Sequence, residues 1–261
     1  MDNVQAEASR SRLKRWIQWL VAVPLVLASL LVLLLIILND PLPNAEIGPN
    51  ADDLARKMLH AVNDSGWRET EAVSWFFGGR HRHLWDRKRH FVRVSWSEKT
   101  VWLDLHRRAG AAEDRGRRVY GEKLTELLDQ AFAHWANDSF WLNPIAKVFD
   151  QGTRRGLVKL ENGHHGLLVT YDQGGVTPGD SYLWILDEAG RPTSWRMWVA
   201  ILPVGGIEAS WEEWRQYPTG VWLAGRHRIS FFDLKLTEIE CGKTLEEITG
   251  GEDPFRVLKA P

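Results

Sequence analysis

Two histidines at alternating positions are the first residues in this sequence that could do chemistry. On a strand, His81 and His83 would point to the same face and could hold a metal ion together with a third ligand. Basic side chains surround the pair, and their positive field disfavours a bound cation. We therefore interpret both histidines as part of a solvated basic edge. We predict no metal and no cofactor.

A second group follows at helical spacing. His134 and Asp138 are four residues apart, and Ser139 is adjacent. A serine hydrolase needs such groups to converge beside oxyanion donors, and no Gly-x-Ser-x-Gly turn is present to expose Ser139. Termination of a helix by residues 137–139 explains these residue types. We therefore predict no catalytic residue and no enzyme.

The basic run between residues 80 and 93 has a possible role of its own, since it contains six Lys or Arg residues and Asp86 as its one acidic residue. Such a patch can lie on anionic lipid headgroups, where each basic residue adds about 1 kcal/mol. The alternative is an ordinary charged hairpin. The residues predicted to touch the membrane surface are Arg80, Arg82, Arg87, Lys88 and Arg89.

Tryptophan is the most unusual feature of the composition, with 15 residues among 261. Apolar pockets with few polar groups are typical ligand sites, but a tightly packed core has the same composition. Both interpretations stay open. The predicted cavity-lining residues are Trp96, Trp102, Phe132, Trp135, Trp141, Trp184, Trp195, Trp198, Trp211 and Trp222.

One apolar run explains how this domain is placed in the cell. Residues 16–38 carry no charge, and about 20 apolar residues are enough to cross a bilayer as a helix. Four basic residues precede the run, and Asn39 and Asp40 follow it, which predicts a cytoplasmic N-terminus. A cleaved signal peptide is the alternative, but the run is long and lacks a good cleavage site. We predict a single-pass protein of the inner (cytoplasmic) membrane with a periplasmic or extracellular domain.

The predicted organisation has five parts. They are a cytoplasmic basic tail (1–15), a transmembrane helix (16–38), a linker (39–49), an exported β-rich domain (50–248) and a loose C-terminal tail (249–261). A net charge of −1 makes nucleic acid an unsuitable partner. The single cysteine, Cys241, cannot form an internal disulfide, so the core alone must hold the domain.

Periodicity predicts the elements of the exported domain. A helix is expected from Asn50 to about Val62, and a second one follows the stripe from Leu124 to Trp135. Strands with alternating apolar residues are expected before and after both helices. In Tyr182–Leu186 the odd and the even positions are both apolar, which predicts a strand covered on both faces. The fold class is therefore α+β, with a curved antiparallel half-barrel sheet wrapped around one or two helices, since the sheet alone could not bury its inner face.

Short segments of this sequence resemble a known family. Trp85-Asp86-Arg87 leading into Phe91–Trp96 and Val101–Asp104, and the run Tyr182–Pro192, are similar to strand pairs of the lipoprotein carriers LolA and LppX and of the N-terminal domain of RseB. Asn137–Leu142 and Gly174–Asp180 resemble segments of uncharacterised exported bacterial proteins.

The resemblance implies an open half-barrel around helices with an apolar cavity for acyl chains. It therefore implies binding of a lipid, an acyl chain or a lipoprotein, with the membrane itself as a partner. The anchor distinguishes this chain from freely diffusing carriers. The alternative function is a structural or signalling partner domain of the envelope, like the RseB sensor, with a filled core and no ligand.

Overall fold

The computed structural model describes residues 19–20, 23–173, 178–230 and 232–258. Residues 23–38 are helical, and we call this segment α1. Within the described part of the chain, no helix combines the length and the apolar character needed to cross a bilayer. The predicted basic tail (1–15) and residues 16–18 and 21–22 of the predicted span lie outside the described residues.

The predicted linker is bound to the domain along its length. Glu46 forms an antiparallel bridge to Leu157, with both N–H···O distances at 2.8 Å. A Cβ on the neighbouring Gly156 would lie 2.6 Å from the Cβ of Ala45, so glycine is required for this approach. The linker is therefore attached to the domain at Glu46.

Two helices pack on the sheets. The first, α2 (Pro49–Ala61), begins slightly earlier than predicted, since Gly48 precedes it and Pro49 occupies its first turn. It buries Ala51, Ala55 and Met58, and the short α3 (Asp64–Glu69) follows it.

The long helix α4 (Gly121–Leu142) corrects one prediction. Residues 137–139 were expected to end the helix, but it continues through them, and Asp138 and Ser139 are buried. The carboxylate of Asp138 accepts hydrogen bonds from the facing sheet, which explains why this polar side chain is tolerated there.

An eight-stranded antiparallel sheet covers one side of α4. Its order is β14-β15-β1-β2-β3-β4-β5-β6. The strands are β1 (Ala72–Phe77), β2 (His81–Asp86), β3 (Phe91–Trp96), β4 (Lys99–Asp104), β5 (Ala109–Asp114), β6 (Arg117–Val119), β14 (Arg226–Ile229) and β15 (Phe232–Gly242). Strand alternation turns Val92, Val94, Val101 and Leu103 towards α4, as predicted for half-buried strands.

A five-stranded sheet packs against α2 and the end of α4. Its order is β11-β10-β9-β8-β7, and a two-stranded sheet pairs β12 with β13. The strands are β7 (Thr153–Lys159), β8 (His165–Tyr171), β9 (Ser181–Leu186), β10 (Pro192–Trp198), β11 (Ile207–Ser210), β12 (Arg215–Gln216) and β13 (Trp222–Leu223). The first four residues of β9 are buried, which confirms that this strand is covered on both faces.

The predicted α+β class with large antiparallel sheets is confirmed. Within the described residues the strands are divided among three sheets instead of one, and the two large ones meet where β11 lies beside β14. There Glu212 forms a bridge to Arg226, and the backbone N–H of Arg228 donates to Oγ of Ser210 at 2.9 Å.

The C-terminal segment differs from the loose tail expected from residue 249. Phe255 is fully buried, and Arg89 donates two hydrogen bonds to Asp253 at 2.9 and 3.0 Å. The short helix α5 (Glu246–Thr249) contacts β1 and β15. This segment covers the face of the eight-stranded sheet opposite α4, and residues 259–261 lie outside the described residues.

Candidate functional site

The structure divides the ten predicted cavity residues among several places. Trp184, Trp195 and Trp211 are buried in one cluster, which Trp141 and Trp222 also contact. Trp96, Phe132 and Trp135 belong to a second cluster under α4. Trp198 packs on the outer face of the five-stranded sheet. Trp102 points away from α4, because it alternates with the core residues Val101 and Leu103.

The first cluster is filled by its own rings. Ring centroids lie 4.8 Å apart for Trp184–Trp195, and 5.1 Å apart for both Trp184–Trp211 and Trp195–Trp211. Such spacings are those of aromatic rings in direct contact. These residues therefore form a packed core, which corresponds to the second of the two interpretations that the composition left open.

Open apolar space lies elsewhere, beside the end of α1. A cleft of about 340 Å³ is lined by Asn39, residues 178–180 and residues 198–200 and 202–205, and we call it the junction cleft. Trp198 is the one member of the predicted cavity set that lines it. Sequence reasoning missed this site, although the apolar stretch Val199–Val204 between β10 and β11 was a visible signal.

Hydrogen bonds fix the junction cleft to the residues that follow α1. The indole Nε1 of Trp198 donates to the carbonyl of Asp40 at 2.7 Å, and the backbone N–H of Asp40 donates to the carbonyl of Gly205 at 3.2 Å. The N–H of Gly205 in turn donates to Oδ1 of Asn39 at 2.9 Å. Three hydrogen bonds therefore connect the cleft to the start of the linker.

The predicted membrane-surface set is largely neutralised. Arg82 forms a two-point ion pair with Glu238, and Lys88 pairs with Glu71 at 2.9 Å. Arg89 contacts both Asp86 and Asp253.

Arg87 is half-buried and bonded to the backbone. It donates to the carbonyls of Trp67 and Thr70 and stacks over the Trp67 ring at 4.1 Å. Burial lowers its pKa to about 10. Arg80 lies exposed in the turn before β2.

His81 and His83 are brought to Asp138. Nδ1 of His81 and Nε2 of His83 each lie 2.7 Å from the same oxygen, Oδ2 of Asp138. The side chain of Asp138 is 1% exposed, that of His83 is 0% and that of His81 is 19%. We call these three residues the His/Asp cluster. Asn137 donates to the other oxygen of Asp138 at 2.9 Å, and the His134 ring lies 3.9 Å from that of His81.

Burial and hydrogen bonding set the charges of this cluster. Burial lowers the pKa of His83 and of His134, so both rings are neutral at pH 7. Burial by itself would raise the pKa of Asp138, but the hydrogen bonds from His81 and His83 outweigh it and lower that pKa. The contact of His83 with Asp138 is therefore a hydrogen bond between a neutral ring and an anion.

The arrangement differs from a hydrolase triad. Asp138 is bonded to His81 and His83, while Oγ of Ser139 donates to the carbonyl of Ala136 at 3.4 Å. The residues considered for a triad in the sequence are therefore directed to different partners.

Solved structures that resemble this chain include the following two. One is a DUF1329 family protein from Desulfovibrio piger ATCC 29098, with 9% identity and a TM-score of 0.40, covering 80% of this chain and 99% of that one. The other is a domain assigned to an outer membrane lipoprotein-sorting protein of Vibrio parahaemolyticus, with 10% identity and a TM-score of 0.33, covering 76% and 97%. No protein-family model and no curated protein sequence matches the chain. At these scores the likenesses concern the arrangement of the fold and do not say what this chain binds.

Proposed function

We propose that this chain is a membrane-anchored extracytoplasmic domain that binds an acyl chain of a lipid or lipoprotein in the junction cleft. The observation that carries the proposal is the bonding of the cleft rim to Asn39 and Asp40, the two residues that follow α1. If residues 16–38 lie in the bilayer, the cleft opens at its surface. The acyl chain could then pass between bilayer and cleft without crossing water.

The exposed apolar side chains of α1 favour a position of this helix in lipid. Leu25, Ile36 and Ile37 are 62%, 66% and 69% exposed. Apolar surface costs about 25 cal/mol per Å² in water, so a helix covered with such residues is stabilised by lipid.

The composition of the cleft suits an acyl chain. Val199, Leu202, Pro203 and Val204 line the cleft. The neighbouring Ile201 is 76% exposed. The cleft has a volume of about 340 Å³ and is open to solvent on one side. Trp198 presents an apolar ring with a bonded N–H, the combination that favours the membrane–water interface.

A site-specific probe tests whether the cleft lies at the bilayer. Cys241 is 5% exposed, so an environment-sensitive fluorophore on Ile201→Cys should label the new position alone. In vesicles of phosphatidylcholine and phosphatidylglycerol, we expect a blue-shifted emission that lipids brominated near the headgroup quench. Tyr120→Cys, at a position that is 75% exposed before α4, is the matched control and should show neither effect. Water-like emission from the 201 label in full-length protein would refute the membrane position.

Ligand binding is tested with a fluorescent fatty acid and the full-length protein in mild detergent. Burial of a leucine is worth roughly 1.5–3 kcal/mol, so Leu202→Gln should weaken binding about tenfold or more. Ile47→Gln, at a position that is 68% exposed in the linker, should leave binding unchanged. Absence of binding to the folded wild-type protein would remove the acyl-chain proposal.

The filled tryptophan cluster favours a second function, an envelope partner domain without a lipid ligand. Trp184, Trp195 and Trp211 pack against one another with centroid distances of 4.8–5.1 Å. The pair of experiments separates the two. A membrane-embedded label at position 201 with no fatty-acid binding would favour the partner domain.

A further inference from the structure

The His/Asp cluster contains more polar groups than the packing of α4 on β2 requires. Buried polar groups are costly unless they are hydrogen-bonded, and helix–sheet interfaces are usually closed with apolar residues. Here one carboxylate and two imidazoles meet beside a cluster of tryptophan, phenylalanine and aliphatic side chains. This cluster is independent of the junction cleft.

We infer that His81, His83 and Asp138 bind a divalent transition-metal ion of the Zn²⁺ class. Each residue offers one ligand atom, and the three atoms lie within 4.8 Å of one another. Two imidazole nitrogens and one carboxylate oxygen are typical ligands of Zn²⁺, and three protein ligands leave a fourth position for water or substrate. The partly exposed His81 and the nearby His134 place that fourth position at the rim of the interface.

The objection that the basic surroundings repel a cation does not hold in the structure. Strand alternation turns Arg82 to the opposite face of β2, where Glu238 binds it through both carboxylate oxygens. Lys88 and Arg89 are likewise paired with acidic residues. The charge that faces the cluster is therefore the carboxylate of Asp138.

Metal binding requires a small and specific rearrangement. The contacts of 2.7 Å are hydrogen bonds, and ligands of a tetrahedral ion with bonds of 2.0–2.1 Å lie about 3.3 Å apart. Each histidine nitrogen must therefore move about 0.6 Å farther from Oδ2 of Asp138, and the two nitrogens must also reach a spacing of about 3.3 Å, which side-chain rotations can supply.

The affinity of the site for the metal ion is limited by Nδ1 of His83, the ring nitrogen that does not face Asp138. A carboxylate only accepts hydrogen bonds, so the metal-free His83 carries its hydrogen on Nε2, and a bound ion moves that hydrogen to Nδ1. In the described part of the chain Nδ1 of His83 has no hydrogen-bond partner. Loss of such an outer partner typically weakens a metal site 10–100-fold, so we expect weaker binding than at a fully supported site of the same ligands.

The test uses full-length protein in mild detergent, with Zn²⁺ binding followed by calorimetry and Co²⁺ binding by visible absorption. We expect one ion per chain and the intense d–d bands of low-coordinate Co²⁺. Asp138→Asn and His81→Gln should each weaken binding by more than the 10–100-fold that follows loss of an outer partner, because each removes a ligand. His90→Gln is the matched control, since His90 lies exposed and stacks on His106 at 4.1 Å without belonging to the cluster.

Near-UV circular dichroism shows which variants are folded. If Asp138→Asn unfolds, the loss of metal binding is measured in His81→Gln instead. His81 lies at the rim of the interface, so its replacement should destabilise the fold less. Folded wild-type protein that binds no ion overturns the inference. Binding that persists in His81→Gln, or that falls equally in His90→Gln, overturns it as well, since the ion would then lie elsewhere on the surface.

Discussion

Replacement of Trp195 tests directly whether the tryptophan cluster is a packed core. Trp195 is 0% exposed. Its ring lies within 4.6–6.0 Å of five other ring centroids, those of Phe140, Trp141, Tyr182, Trp184 and Trp211. Trp195→Ala removes this contact surface and leaves a void that neighbouring rings can fill only in part.

The expected loss follows from the buried area. A buried aromatic side chain covers roughly 150–250 Å², which at about 25 cal/mol per Å² corresponds to about 4–6 kcal/mol. Measured Phe or Trp to Ala changes in cores cost about 3–5 kcal/mol. The indole Nε1 of Trp195 has no hydrogen-bond partner among the described residues, so its removal returns part of this energy. We expect Trp195→Ala to lower the free energy of unfolding by about 3 kcal/mol, and Trp195→Phe to cost less than half as much.

Urea denaturation in mild detergent, followed by near-UV circular dichroism, measures the effect. Trp198→Ala is the control, since this ring is partly exposed and makes one hydrogen bond, worth about 1 kcal/mol. We expect that variant to lose fatty-acid binding more than stability. If Trp195→Ala remains within about 1 kcal/mol of wild type, the ring lines open space and the packed-core interpretation is wrong.

Three further predictions concern the pH response, the cysteine and the C-terminal segment. Burial lowers the pKa of His227 to about 4, so below pH 6.5 the unfolded chain binds a proton that the folded chain does not. The free energy of unfolding should therefore fall by about 1.4 kcal/mol as the pH is lowered from 7.5 to 5.5. His227→Gln should reduce this pH dependence in urea titrations. Burial raises the pKa of the Cys241 thiol to about 12. Thiol labelling at pH 8 should therefore be at least about 100-fold slower in native protein than in urea. Equal labelling rates would contradict the buried position of Cys241. Phe255→Ala should cost about 3 kcal/mol and expose residues 246–258 to limited proteolysis. The matched change Arg256→Ala, which removes an exposed ion pair with Glu252, should cost less than about 1 kcal/mol and leave the segment protected.

Local pattern alone determined much of this protein. The stripe Leu124–Trp135 predicted α4, the alternation in Phe91–Trp96 predicted β3, and apolar residues of both parities predicted the doubly covered β9. These features repeat within a few residues, at the period of a helix or a strand, so their signal is contained in the sequence. The apolar run at 16–38 is a signal of the same local kind.

The tertiary structure decided which of these residues meet. His83 and Asp138 are 55 positions apart, and their contact depends on the register of β2 and on where α4 crosses it. The same register turns Arg82 away from the His/Asp cluster and towards Glu238. The basic residues next to His81 and His83 in the sequence therefore do not all face a cation bound there. Trp195 and Trp198 lie on opposite faces of β10, and the sequence did not show which face is covered by the core. That depends on which other elements pack on each face of the strand. Sequence periodicity fixes the face of an element, whereas the partner of that face is set by contacts between distant parts of the chain.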